Sequence, residues 1–254
     1  MSNIYEALEQ AQRENRRTEA GDIVQLPGDS PARNIPQLNE RAVQSGRVAD
    51  EGELAELYRS IDLMLPEQAQ KTIQFISSGK GEGVSTVVHE LAKTAAGRLG
   101  RKVLVLDAAF HNPTQHLYYR MKRQPELHNE QKDGNLPSRW NCQTVSGNLC
   151  IASLPSTDAN SCYVDIDASI AYIDGCRNRF DLILIDSTPA ALMPDGVALT
   201  RYVDGVILVL EAEKTKCFIA DKLKEKIVRN GGNILGVVFN KRRYHIPQTV
   251  YKLL

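Results

Sequence analysis

The 254-residue chain has no excess of either charge. Its 31 Lys and Arg balance 31 Asp and Glu, so no global field draws it to nucleic acid or to an anionic membrane, and no nucleic-acid partner is expected. It also lacks long apolar runs: the longest are about six residues, where a spanning helix needs roughly twenty. The N-terminus has no secretory apolar core, so a cytoplasmic protein is expected. Cysteines are few and odd in number, at positions 142, 150, 162, 176 and 217, with no C-x-x-C pair. Neither a disulfide framework nor a zinc site is indicated, and reduced, mostly buried thiols are expected.

What is present is enough apolar residue for one substantial α/β core, with length left over for an extension. The stretch that organises the chain is the apolar run Thr72-Ile73-Gln74-Phe75-Ile76 and the segment after it, Ser77-Ser78-Gly79-Lys80-Gly81-Glu82-Gly83-Val84-Ser85-Thr86. Glycines at 79, 81 and 83 let a backbone approach an anion, and the helical pattern that follows aims its N-terminal amides into the loop. The nucleotide-binding candidates are therefore Gly79, Lys80, Gly81, Glu82, Gly83, Val84, Ser85 and Thr86. The full phosphate-loop signature, G-x-x-x-x-G-K-[S/T], places its first Gly at Ser78 and its Lys at Val84, so only Gly83 and Ser85 match. Ser85 keeps the hydroxyl expected on Mg²⁺, whereas Val84 offers no charge to the phosphates. A glycine-rich turn without a ligand is the alternative.

Taken in order, the chain opens with Ile4, Ala7, Leu8 and Ala11 at helical spacing behind Ser2, an amphipathic helix within residues 1–17. It docks either on its own domain or on another protein. Residues 18–49 carry Pro27, Pro31 and Pro36 and read as a flexible linker. An α/β domain is expected over residues 50–254. It starts with a helix from about Glu51 to Leu65, with Leu54, Leu57, Tyr58, Ile61 and Leu65 on one face, stopped by Pro66. A second helix runs from about Ser85 to Leu99, with Gly100 placed for a left-handed turn. The runs Lys102–Asp107, Leu182–Ile185, Val206–Leu210 and Ile234–Phe239 have the length and composition of strands buried on both faces. Ile219, Leu223 and Ile227 mark a helix between the last two. Arg120 to Trp140 reads as a polar surface excursion. The expected fold is a doubly wound, mostly parallel α/β sheet with ligands at the strands' carboxyl ends. That rule singles out Asp107 and Asp186, each after an apolar run, as carboxylates for Mg²⁺ beside the loop. Either one alone is equally a cap or turn residue.

At this point the chain resembles a known family, the bacterial tyrosine autokinases of exopolysaccharide and capsule synthesis, which are relatives of cell-division and chromosome-partitioning ATPases. The resemblance runs from about Glu53 to the C-terminus. It rests on Glu56-Leu57-Tyr58-Arg59, Gly81-Glu82-Gly83, Val105-Leu106-Asp107 with Pro113, Ile185-Asp186, Asp195 ahead of Tyr202-Val203-Asp204-Gly205-Val206, and Gly236-Val237-Val238-Phe239-Asn240. Ile4-Tyr5-Glu6-Ala7-Leu8 and Arg243-Tyr244-His245-Ile246-Pro247 look like stand-alone members encoded with exopolysaccharide machinery.

The resemblance implies a P-loop NTPase-like fold that takes ATP and Mg²⁺. It implies catalytic roles for Asp107 and Asp186, Mg²⁺ contacts for these two with Ser85, and a nucleotide contact for Asn240. It also implies export or polymerisation proteins as partners, a membrane co-polymerase among them, with self-association and peripheral placement at the inner membrane through such a partner. The departures fall on chemistry. Val84 replaces the loop Lys, and the usual D-x-D-x-R reads Asp107-Ala108-Ala109-Phe110-His111. The usual E-x-x-R-x-x-R reads Glu56, Arg59, Asp62, and the tail offers only Tyr244 and Tyr251. Two readings follow: a kinase-like scaffold or regulator with a degenerate, weakly binding site, or an active ATPase or tyrosine kinase in which Lys80 supplies the missing charge. A partition-type ATPase is a third, and it needs the same Lys.

Overall fold

The apolar runs are strands of one sheet. The computed structural model describes residues 51–108, 115–119, 142–154, 165–193 and 195–242. The helix expected within residues 1–17, the linker over 18–49, the excursion over 120–140 and the tail from 243 lie outside the described residues. Within them the order is α1 (Glu51–Met64), β1 (Lys71–Ser77), α2 (Val84–Gly97), β2 (Val103–Ala108), α3 (Gln115–Tyr118), β3 (Gln143–Ser146) and β4 (Leu149–Ser153). There follow α4 (Ile166–Arg177), β5 (Leu182–Ser187), α5 (Asp195–Leu199) running into a 3₁₀ turn, β6 (Gly205–Glu211), α6 (Cys217–Arg229) and β7 (Ile234–Asn240).

The seven strands lie in the order β3-β4-β2-β5-β1-β6-β7. Every neighbouring pair is parallel except β3 with β4 at one edge. The strands read as continuous apolar runs because both sheet faces are covered. Val103 and Val105 point into a cluster with Leu54, Ile61, Val88 and Leu91 of α1 and α2, while Leu104 and Leu106 point into one with Tyr172, Ile173, Leu223 and Ile227 of α4 and α6. The expected stripe of α1 is buried throughout; Leu54 and Ile61 are 0% and 1% exposed. Such burial stabilises by about 1.5–3 kcal/mol per side chain.

Three elements depart from the sequence reading. The β3–β4 hairpin was missed because β3 is a polar edge strand, half-buried or exposed at every position. Its signal is the two-residue turn Gly147-Asn148 between paired Ser146 and Leu149. Helix α4 was missed because its buried stripe includes Ser169 and Cys176. Its start is legible in Asp165, whose carboxylate accepts from the Ala168 N–H at 2.9 Å. In α6, Leu223 and Ile227 are buried as expected but Ile219 is 39% exposed. Among the described residues the thiols are free at 142, 150, 176 and 217, and of these four only Cys176 is buried, which corrects the expectation that most would be.

The chain leaves β1 toward β2 on one side, and β5 connects across β1 to β6 on the other. The carboxyl ends of β1, β5 and β2 therefore frame the crevice where a sheet of this kind holds ligands.

Candidate functional site

The loop between β1 and α2 is shaped by its own hydrogen bonds. Glu82 folds back so that its Oε2 accepts from the Ser78 and Gly79 N–H groups at 2.8 and 2.9 Å and from the Ser78 hydroxyl at 2.9 Å. The Thr215 hydroxyl, from the turn after β6, donates to the other oxygen of the same carboxylate. Gly83 caps α2 in the left-handed region at φ 97°, with no side-chain cap. A Cβ there would lie 1.9 Å from Asn240 Nδ2, so only glycine fits. Asn240 is buried at the end of β7; its Nδ2 donates to the Glu82 carbonyl at 2.9 Å, which ties the far strand to the loop.

Val84, at the position of the loop cation, is 6% exposed and belongs to the apolar cluster beneath α1 and α2. Lys80 is exposed and makes no hydrogen bond or ion pair among the described residues. The lysine that does touch the loop is Lys241, which the sequence reading passed over. Its Nζ donates to the Gly81 carbonyl and sits 3.3 Å from Glu211 Oε2. Its only sequence signal is its place directly after Asn240. Thr86, exposed on the first turn of α2, shares a 2.8 Å hydrogen bond with the Tyr118 hydroxyl. Tyr118 and Tyr119 pack on His89, with ring centroids 4.8 and 4.5 Å away. Burial holds the His89 imidazole below its usual pKa.

The two acids meet as the strand-end rule requires. Asp107 and Asp186 are register partners on β2 and β5, and are 4% and 1% exposed. Burial, and then the charge of Asp107, push the Asp186 carboxyl up to about 7, against hydrogen bonds from Gln115 and Ser85 that favour the anion. Gln115, the first residue of α3, was not anticipated. Its Nε2 donates to Asp186 Oδ2 at 2.8 Å and to the Ser85 carbonyl at 3.0 Å, and its backbone N–H donates to Asp107 Oδ2 at 3.0 Å. Behind the acids, the Ala190 and Ala191 N–H groups donate to the Ser77 and Ser78 carbonyls at 2.9 and 3.1 Å. The Thr188 hydroxyl donates to the Ala108 carbonyl at 3.0 Å. The segment after β5 is thereby bonded to both the loop and β2.

The structure thus brings Ser85, Asp107 and Asp186 together, joins Asn240 to the loop, and leaves Lys80 facing solvent. Among the described residues no cluster of three His, Cys, Asp or Glu side chains could hold a metal. The donor set that is present consists of two carboxylates and a hydroxyl, all hard oxygens. It fits Mg²⁺, which keeps several waters and takes one or two protein carboxylates beside phosphates. When bound, that ion supplies charge neutralisation to phosphates. Ser85, Asp107 and Asp186 are the residues that would hold it.

Parallel sheet, glycine loop at a helix N-terminus and paired acids at adjacent strand ends define an α/β fold of the P-loop NTPase kind. The septum site-determining protein MinD of Pyrococcus horikoshii, complexed with Mg-ADP, shares this fold, with a TM-score of 0.57 and 23% identity over 73% of this chain and 77% of that one. The chimerical protein CapA2B2 matches with a TM-score of 0.64 and 21% identity over 76% and 85% of the two chains. In sequence, the tyrosine-protein kinase CpsD of Streptococcus agalactiae is 28% identical over 173 residues, covering 67% of this chain and 74% of the relative. No protein-family model matches the chain. In sequence and in fold the chain is thus similar to the bacterial tyrosine kinases of capsule and exopolysaccharide synthesis. Among the described residues no helix is long and apolar enough to cross a membrane.

Proposed function

We propose that this chain is a kinase-like scaffold or regulator of exopolysaccharide or capsule synthesis and export, with a degenerate site that binds ATP and Mg²⁺ weakly. The observation that carries this reading is Val84. The position of the phosphate-neutralising lysine holds an uncharged side chain that packs into the core, so phosphoryl transfer lacks a main source of electrostatic stabilisation. The remaining residues still favour a bound nucleotide. First-turn amides of α2 face the loop, Asn240 braces it, and Ser85, Asp107 and Asp186 form the cation set.

The partner in this reading is a membrane co-polymerase of the export machinery, which the likeness to CapA2B2 supports, and the chain sits peripherally at the inner membrane through it. Residues 1–17 are the docking element and residues 18–49 give it reach. Deleting residues 1–17 is expected to abolish co-purification with the machinery while the α/β domain keeps its melting temperature. A destabilised domain with unchanged partner binding overturns the docking role. The nucleotide part is tested by titrating ATP with Mg²⁺ into the purified chain and by measuring turnover. Weak binding with background turnover is expected. Robust hydrolysis by the unaltered chain sinks the scaffold reading in favour of an active ATPase or kinase of the same pathway.

A further inference from the structure

Gln115 stands where the loop helix and the two acids meet, and it is completely buried. It has a contact to each part: the Ser85 carbonyl on α2, Asp186 on β5 and, through its backbone N–H, Asp107 on β2. A primary amide in a dry site is costly unless its hydrogen bonds are made. Here the donor end is satisfied, while Oε1 has no hydrogen-bond partner. As a space-filler Gln115 is a poor choice, because an apolar side chain of similar volume would leave no such atom. Its donor end does something an apolar residue cannot. Asp107 and Asp186 stand side by side with like charge, and a neutral donor bridging α2 and Asp186 keeps that carboxylate turned toward Ser85.

We infer that Gln115 is a positioning residue for a divalent cation: it holds Asp186 against Ser85, with Asp107 on the same side. This rests on reading the site as one for nucleotide with Mg²⁺. Partners that orient metal ligands contribute about tenfold to hundredfold in metal affinity. The effect belongs to the cation and not to the nucleotide alone, since the hydrogen bonds of Gln115 go to Ser85, Asp107 and Asp186 and not to loop residues 79–83.

The test uses the full chain with Mn²⁺ as the probe, free Mn²⁺ being read by electron paramagnetic resonance in the presence of ADP. It is run with the native loop and again with Val84→Lys, which restores the loop cation. Gln115→Met keeps the volume and deletes the amide. Its Mn²⁺ affinity is expected to fall about tenfold to hundredfold, with ADP binding in EDTA as in the parent. Gln115→Asn keeps the amide but falls one methylene short of Asp186, and carries the test with the same expected loss if the Met variant does not fold. Unchanged Mn²⁺ affinity overturns the inference, and so does an equal loss of ADP binding in EDTA, which would make Gln115 a support of the loop. If the native loop binds no ADP but the Val84→Lys chain shows the loss, weak nucleotide binding by the native chain is wrong and the role of Gln115 stands. If neither chain binds Mn²⁺ with ADP, both fall.

Discussion

The phosphate side of the site and its acid side have kept different things. On the phosphate side the shape survives: Gly83 holds its left-handed turn, Glu82 braces the loop, and α2 starts directly after it. The lysine of the loop signature is absent there, and Val84 in its place is part of the core. On the acid side the charge survives, in two adjacent buried carboxylates with Ser85 and Gln115 bonded to Asp186. The difference teaches that loop geometry and loop charge are separable. Glycine conformations and hydrogen bonds within the loop set its shape, and neither needs the lysine. Adjacent buried carboxylates, in contrast, destabilise a fold unless something compensates them. Under the proposed function, a bound cation would be that compensation.

The comparison is broken most severely at Asp186. Its carboxyl has an ordinary pKa near 3.8 when unfolded and is pushed up to about 7 by burial and by Asp107. Between these values the folded protein binds more protons than the unfolded chain, so stability falls as pH rises through that window and levels off above it. Asp186→Asn removes the penalty. Relative to the parent it should gain stability, on the order of a few kcal/mol, as pH rises from about 4 to about 7. Thermal melting across this range checks the slope. Parallel curves for parent and variant would show that Asp186 carries no such penalty. The same variant should lose Mg²⁺-dependent stabilisation by ATP, as should Asp107→Asn.

Breaking the loop's shape comes next. Gly83→Ala places a Cβ at φ 97° and against Asn240 Nδ2. A cost of about 1–3 kcal/mol is expected from the backbone alone, with loss of the hydrogen bond from Asn240 to the Glu82 carbonyl. A melting temperature equal to the parent's would mean that the loop relaxes freely and that its shape is not fixed by this contact.

The core of this fold was legible because buried parallel strands announce themselves as unbroken apolar runs, as Val103–Leu106 and Val206–Leu210 do. Asp107 and Asp186 were legible for the same reason, since each directly follows an apolar run, one residue before its strand ends. Elements whose burial is partial or polar escaped: β3 lies at a sheet edge, and α4 buries Ser169 and Cys176. Gln115 and Lys241 escaped for a different cause. Each makes a contact that is distant in sequence, Gln115 with Asp186 at 71 residues and Lys241 with Gly81 at 160, and no local spacing encodes such a meeting.

Val84→Lys sharpens the comparison by returning charge to the phosphate side. A charge-assisted contact adds about 1.5–3 kcal/mol, so ATP affinity with Mg²⁺ should rise about tenfold or more. Part of that gain is offset, because the Val84 side chain leaves the core and the lysine stem must run along the loop to reach solvent. Isothermal titration beside thermal melting separates tighter nucleotide from weaker fold. Unchanged affinity would show that the native loop already has an effective cation.

The smallest effect is expected at Lys80, and it decides between the two readings of the loop. Lys80 lies in solvent with no hydrogen bond or ion pair among the described residues, whereas Lys241 is held on the Gly81 carbonyl and beside Glu211. A mobile, fully hydrated ammonium gains little from a nearby anion in high dielectric and is screened by salt. Lys80→Ala should therefore weaken ATP binding by about twofold or less, and less still at high ionic strength. If it removes binding or abolishes a measurable turnover, Lys80 swings onto the phosphates when nucleotide arrives. The phosphate side would then have moved its charge along the loop rather than lost it, and the contrast with the acid side would disappear.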